Sequence, residues 1–498
     1  MSLLVFQLFF VLLGVSQVAQ AVDFNLSINT TIGTVRGFIN GSTPDVAQFL
    51  GIPFAEPPVG QLRWARPQAK TRVKSIVDAT HLPPSCPQYE SKIPSVYNQD
   101  VRQFFITGVM SEDCLAVSIW TPLGATTSKN ASGLPVFAWI YGGGFTTGGA
   151  DVPYQQPEQW IQRSQFHIVV AINYRVNIFG FPNARGLNET SQNLGLLDQR
   201  LAVEWIRDNI AAFGGDASRI TLWGQSAGAM SVGYYDFAYP DDPIINSLVM
   251  DSGSALLPSE NTDTTHSNFT FVASEVGCSG SLSAAAELAC MRNVSYEVIE
   301  EFLLGYVDNE TSPSISFGPV DDEVTKFSNF TSRALGGHFT KKPAIIGTNA
   351  DEGTSLVTYD VSGPNLTLVD IETDSVFLCP SVKTTSNRYA VGATTFRYWY
   401  NGNFSNISPR AWQGAYHSSE LPLIFGTHGN YRGASTPYEV AVSQHMQDLW
   451  LAFASDPIDG LPNLGWEAYK PDGMAMALAY DGQISRNLSI EIVDSPCT

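Results

Sequence analysis

The stretch RITLWGQSAGAMS, residues 219–231, constrains the fold of this chain more than any other. A β-prone apolar run meets Gly224, Ser226, Ala227 and Gly228, and a run of small residues follows. A strand that turns into a helix over so few residues forces the central one into a strained backbone conformation. Small neighbours keep it clear of the adjoining strand and helix. Ser226 would then stand free of the carboxyl edge of a sheet, where open α/β sheets bind ligands. Glycine and serine are abundant, so the motif alone would also fit an incidental serine in a glycine turn. The strand before it and the helix after it make Ser226 a candidate nucleophile.

The surrounding pattern agrees. LPVFAWIY (134–141) and FHIVVAINY (166–174) read as buried parallel strands. Between Asn193 and Phe213, Leu197, Leu201 and Trp205, with Ala202, Ile206 and Ile210, recur at helical spacing, and Gly214-Gly215 ends that helix. RITLW (219–223), NSLVMD (246–251), KPAIIG (342–347) and TFRYWYNG (395–402) continue the strands. Strands alternating with helices predict an α/β fold, a large, mostly parallel central sheet with helices on both faces. No polar linker divides it, so residues 22–498 read as a single domain, with helical and loop insertions over 255–340.

A serine nucleophile needs a place for the oxyanion. WIYGGGFTTGG (139–149) follows a predicted strand, and its triple glycine lets backbone N–H groups approach a small charged atom. Gly143 and Gly144 are the candidate donors, with the amide of Ala227 as a third. A phosphate-binding loop would need a Lys-Ser/Thr or a G-x-G-x-x-G spacing, and neither is present.

In such a fold, nucleophile, acid and histidine follow in that order along the chain. Of seven histidines, order leaves His417, His428 and His445. His417 stands in a predicted loop after a strand, His428 in a turn, and His445 in a helical pattern; His417 fits the base best. The acid is Asp351 or Glu352, adjacent at a strand end, and spacing does not choose between them.

Residues 1–21 carry an apolar run and end in Ala-Gln-Ala, which reads as a secretory signal peptide. Thirteen Asn-x-Ser/Thr sequons and six cysteines point to a glycosylated, disulfide-bonded, extracellular product. Six cysteines allow fifteen pairings. Short spacings suggest Cys86–Cys114 and Cys278–Cys290, leaving Cys379–Cys497. The net charge of −20 argues against nucleic acid and anionic membranes. No other stretch predicts membrane insertion, and nothing in the sequence fixes an oligomeric state.

With these residues in view, the chain resembles the type-B carboxylesterases, the cholinesterase or esterase–lipase family, in the manner of a secreted fungal member. FGGDASRITLWGQSAG (213–228) is similar to the family's serine signature. EDCLAVSIWTP (112–122) is similar to its second, with Ala116 where an aromatic residue or Thr is usual. FLGIPFAEPPVGQLRW (49–64), NYRVNIFGF (173–181), LGLLDQRLAVEWIRDNIAAFGGD (194–216), DSGS (251–254) and CPSVK (379–383) extend the likeness across the chain. The resemblance implies the α/β-hydrolase fold, Ser226, Glu352 and His417 as triad, Gly143, Gly144 and Ala227 as oxyanion donors, and the same three disulfides. It also implies an Arg63–Glu112 pair and support of the acid by Ser252.

Two departures stand out. No tryptophan lies between Cys86 and Cys114, where choline-binding members hold a quaternary ammonium. The stretch between Glu352 and Cys379 is much shorter than in relatives, which implies an unusually open pocket or a sequence lacking an exon.

Together these features predict a secreted serine hydrolase of carboxylic esters. It would act on a small-molecule ester through an acyl-enzyme, with no cofactor and no metal. A lipase acting on long-chain acylglycerols or sterol esters is the alternative within the class. A catalytically silent adhesion or binding member is the alternative outside it; such members typically lack the serine.

Overall fold

A computed structural model describes residues 26–127, 133–258, 263–278 and 283–497. The expected signal peptide (1–21) and the sequons at Asn25 and Asn130 lie outside the described residues. Among the described residues no helix is long and apolar enough to cross a membrane.

The strands form an 11-stranded sheet. In chain order they are β1 (Phe38–Ile39), β2 (Val46–Pro53), β3 (Ala116–Pro122), β4 (Leu134–Ile140), β5 (Ile168–Ile172) and β6 (Gly215–Gln225). Then follow β7 (Ser247–Asp251), β8 (Ala344–Asn349), β9 (Thr395–Tyr400), β10 (Met474–Leu478) and β11 (Ser485–Ser489). Across the sheet the order is β11-β10-β9-β8-β7-β6-β4-β5-β3-β2-β1. From β10 to β5 neighbours run parallel, and both flanks are antiparallel. A separate small sheet joins Ser27–Thr30, Gly33–Arg36 and Val77–Asp78.

The strand order turns back on itself at β4. The chain leaves β4 for β5 on one side, then returns to β6 on the other. Right-handed crossovers put the connecting helices of those two moves on opposite faces. Helix α1 (Glu158–Ser164) follows β4, and α2 (Leu194–Asn209) precedes β6. Helices α3 (Ala227–Ala238), α4 (Leu366–Glu372), α5 (Cys379–Ala390) and α6 (Pro437–Ser455) complete the cover. Gln199 of α2 donates to the Ser231 hydroxyl of α3 at 3.0 Å, and Arg388 of α5 pairs with Asp236 of α3 at 2.6 Å, so these three form one layer. Arg163 of α1 donates to Gln447 of α6 at 2.8 Å and ties the other layer. Between that layer and the sheet, Trp139 and Trp223 lie 4.4 Å apart by ring centroid, with Phe425 on Trp223 at 4.9 Å.

Strands buried on both faces carry continuous apolar runs, which is why β4, β5, β7 and β8 coincide closely with the expected ones. β6 is longer than expected: it begins at Gly215, directly after Gly214 has ended the preceding turn in a left-handed conformation. The insertion over 255–340 is helical, with Ser267–Glu275, Ala284–Met291, Tyr296–Asp308 and Phe330–Leu335. Phe269, Leu288, Met291 and Ile299 give the first three of these helices a second apolar cluster. Disulfides join Cys86 to Cys114, Cys278 to Cys290 and Cys379 to Cys497. Arg63 makes a two-pronged ion pair with Glu112.

Candidate active site

The switch between β4 and β6 creates a crevice beyond their carboxyl ends, the expected ligand position in an open α/β sheet. Ile140 of β4 is in register with Gly224 of β6, so the loops that follow the two strands start level. Ser226 is the residue between β6 and α3, at φ 57° and ψ −125°, a conformation costly for a residue with a side chain. The chain cannot relax there because β6 and α3 touch. A Cβ on Gly224 would lie 2.3 Å from the Gly228 carbonyl oxygen, and one on Gly228 would lie 2.0 Å from that of Ile140. The Ser226 N–H donates to the Asp251 carbonyl at 2.9 Å and pins the turn to β7.

The glycine loop curls beside it. The Gly143 carbonyl accepts from the N–H groups of Thr146 at 3.0 Å and Thr147 at 3.1 Å. Among the described residues no protein acceptor takes the amides of Gly143 and Gly144. Ala227 is the first residue of α3, whose N–H has no acceptor within the helix. Gly142, Gly143, Gly144, Ser226 and His417 line one cavity of about 480 Å³.

His417 lies in the turn ahead of the short helix Leu421–Phe425. Its Nδ1 is 2.6 Å from Glu352 Oε2, and both side chains are buried. The other Glu352 oxygen accepts from the Asn349 N–H at 2.7 Å. Of the two adjacent carboxylates, Glu352 faces the imidazole. Asp351 turns away and accepts from the Ala415 N–H at 2.9 Å. The Tyr97 hydroxyl donates to the His417 carbonyl at 2.8 Å, and the Phe377 ring packs 4.5 Å from the imidazole. His428 is bound instead to Ser435, 2.6 Å away, and lies 3.3 Å from Glu439; His445 sits within α6.

The expected support from Ser252 takes another form. Its hydroxyl is buried without a hydrogen-bond partner, and its N–H donates to the Gly347 carbonyl at 2.9 Å. Glu352 is held instead by the backbone N–H of Asn349 in its own turn.

Near Glu352 lie two more buried carboxyls, Asp251 and Glu420. Asp251 accepts from the Tyr398 hydroxyl at 2.9 Å and from the Trp223 indole. Burial lifts its pKa to about 7, and the nearby Glu352 charge adds to this, against those two hydrogen bonds. Burial, then Glu352 and Asp251, push the Glu420 carboxyl well above the usual carboxylate range. Asn349 donates its side-chain amide to Glu420. Carboxyls crowded in a dry interior cannot all ionise, and these two hold protons more readily than exposed ones.

The shortness of the Glu352–Cys379 stretch does not leave that side bare. The π-helical turn Thr373–Leu378 joins α4 to α5, and Glu372, Val376 and Phe377 wall the cavity. The Cys86–Cys114 loop adds Tyr97, Phe104, Phe105 and Ile106 to the lining.

Sequence reasoning singled out neither Gln225, whose side-chain amide lies 3.1 Å from His417 Nε2, nor Asp251 and Glu420. Gln225 stands inside the serine motif, and Glu420 follows His417 by three positions; those adjacencies were the available signal.

Comparison with known proteins finds similarity along most of the chain. The model of the carboxylesterase family matches residues 25–367 and 364–491, and the two matched stretches meet within the short segment after Glu352. A chlorogenic acid esterase of Aspergillus niger is 50% identical over 435 residues, covering 87% of this chain and 83% of that protein. Secreted lipase 5 of Gibberella zeae is 41% identical over 508 residues, covering 95% and 94%.

Proposed function

We propose that this chain, which belongs to the carboxylesterase family and is a carboxylic ester hydrolase, works through Ser226 as nucleophile, His417 as base and Glu352 as orienting acid. One observation carries the reading. His417 gives Nδ1 to Glu352 at 2.6 Å and lines the cavity that Ser226 and the glycine loop also line.

Ser226 Oγ attacks the ester carbonyl carbon as its proton passes to His417 Nε2. Glu352 holds the proton on Nδ1 and stabilises the imidazolium. The carbonyl oxygen, now negative, accepts from the amides of Gly143, Gly144 and Ala227, each contributing roughly 3 kcal/mol to the transition state. Collapse breaks the bond to the alcohol oxygen, which leaves with the proton from Nε2. A water then attacks the acyl-enzyme and gives its proton to the same nitrogen. The bond from the acyl carbon to Ser226 Oγ breaks as Nε2 returns that proton to Oγ, which releases the acid and restores Ser226 and the neutral base. In the resting molecule no hydrogen bond joins Ser226 to His417 among the described residues. Such contacts commonly close only with substrate in place.

The cavity favours an aromatic acyl group. Tyr97, Phe104, Phe105, Phe145, Phe317 and Phe377 all line it. A flat ring gains edge and offset-stacked contacts there, and the relative named for chlorogenic acid, an ester of an aromatic acid, points the same way. The relative named a lipase, and the exposed Leu366, Leu368 and Ile371 on α4 beside the cavity, favour long-chain substrates instead.

The test is hydrolysis of p-nitrophenyl esters from acetate to palmitate, and of chlorogenic acid, by wild type and Ser226→Ala. We expect Ser226→Ala to lose activity by about 10⁴-fold or more; equal rates from both proteins would end the triad reading. A rate highest on chlorogenic acid and short esters supports the esterase. A jump when palmitate ester forms droplets supports the lipase. Export follows the same proposal: the secreted protein should begin near Val22 and carry N-glycans.

A further inference from the structure

We propose that Gln225 is a positioning residue: its side-chain amide donates to His417 Nε2 and holds the resting imidazole in place in its neutral form. The inference rests on the triad proposed above.

Gln225 is the last residue of β6 and is 2% exposed, so little of its amide is open to solvent. Its Nε2 lies 3.1 Å from His417 Nε2. The roles of the two nitrogens follow from the far side of the ring. Nδ1, at 2.6 Å from a carboxylate, carries a proton. In the neutral ring Nε2 then has only its lone pair to offer, and the amide N–H donates to it.

That contact favours one protonation state. A neutral imidazole accepts the amide proton; an imidazolium presents N–H against N–H and loses the bond. A carboxylate at this place would do the reverse, accepting from the imidazolium and holding it charged. Gln225 therefore works against Glu352, which stabilises the cation from the other side. It keeps the base unprotonated at lower pH, and it helps drive the proton from Nε2 onto the departing alcohol. The amide must yield when the Ser226 proton arrives. The Gln225 side-chain oxygen lies against Gly142 of the glycine loop, where a Cβ would stand 2.9 Å from it. The same side chain is thus fixed between the base and the loop that receives the oxyanion.

Other ionisable groups lie around this residue. In the turn after β8 Glu352 binds Nδ1 while its neighbour Asp351 points away to Ala415. Glu420 follows in the histidine's own turn, Asp251 ends β7, Tyr97 of the disulfide loop binds the His417 carbonyl, and Glu372 of α4 lines the same cavity. All are common to wild type and variant, so a difference between the two proteins reports Gln225.

The experiment is the pH dependence of kcat/KM on p-nitrophenyl butyrate for wild type, Gln225→Glu and Gln225→Met. The acid limb of kcat/KM reads the free base. We expect Gln225→Glu to raise that limb by about one unit or more, and Gln225→Met to raise it by less. Limbs that coincide in the three proteins would overturn the proposal while leaving the triad intact. Should Gln225→Glu be too slow to profile, the imidazole is titrated by NMR in Ser226→Ala with and without Gln225→Glu. A His417 pKa unmoved by the added carboxylate overturns the proposal equally, and an upward shift supports it. Loss of all activity in wild type would instead strike the triad itself.

Discussion

The two halves of the site are built in different ways. The half proposed to hold the nucleophile, from β4 and β6 to the glycine loop and α3, is specified by backbone. Its parts sit where they do because glycines allow contacts such as 2.0 Å from a Gly228 Cβ position to the Ile140 oxygen. The half proposed to hold the acid and base, from Glu352 to His417, is specified by side chains meeting across 65 positions of chain and held by Asn349, Tyr97 and Phe377. The first half should break when atoms are added, the second when functional groups are taken away. Steric exclusion acts over a few tenths of an ångström and is written locally; a buried hydrogen bond needs its partner delivered by the whole fold.

Glu352→Gln should produce the larger effect of those aimed at the pair. The amide keeps the shape and the bond from Asn349 but presents the wrong tautomer or orientation to Nδ1. Loss of about 10⁴-fold in kcat is expected, with thermal stability little changed. Asp351→Asn, one position away, should cost no more than a few-fold, since Asp351 accepts from Ala415 rather than from the histidine. Comparable losses from both variants would mean that the two carboxylates share the role.

On the backbone side, Gly143→Ala adds one methyl group. Its Cβ would meet the Thr147 carbonyl oxygen at 2.4 Å, at a φ of 111° that alanine resists. The loop must move and carry its amides away from the developing oxyanion. A loss of about 10²–10³-fold in kcat with KM nearly unchanged is expected, the size found when one oxyanion donor is lost. An unaltered kcat would show that Gly143 supplies no donor.

The same contrast explains what could be read before any coordinates. Ser226, Gly143, Gly144 and Ala227 lie in short stretches whose glycine spacing carries the geometry, so the stretches announce themselves. The strands of the sheet interior announce themselves too, because burial on both faces demands unbroken apolar runs such as VFAWI and IVVAI. The flanks did not. β10, MAMAL, fits a helix equally well, and β11, SRNLS, is polar and half exposed; only pairing with each other and with β9 makes them strands. Within the acid–base half, chain order brought the base down to three and the local pattern favoured His417, while adjacency brought the acid down to two residues, and there local information stopped. Which carboxylate turns inward depends on Ala415 and Asn349 competing for them. Asp251 and Glu420 were invisible for a related reason: a core carboxyl has no sequence mark separating it from a surface one.

Those hidden carboxyls supply the smallest of the expected effects, and one that involves stability rather than rate. Burial raises the Asp251 pKa in the folded protein to about 7, while the unfolded chain holds it near its ordinary value of about 4. The folded state therefore binds this proton more tightly. Its contribution is fully present below about pH 4 and is lost as pH rises through about 7. Asp251→Asn cannot ionise and lacks this dependence, although its amide disturbs the bonds from Trp223 and Tyr398 at every pH. The melting temperature of wild type minus that of the variant should thus fall by a few degrees, roughly, between pH 4 and pH 8. Melting curves at half-unit steps measure that difference directly. Curves that stay parallel would mean that Asp251 ionises as easily in the folded protein as in the unfolded chain. The acid–base half would then tolerate full charge on Asp251 beside Glu352, and its departure from the backbone-built half would rest on the hydrogen bonds alone.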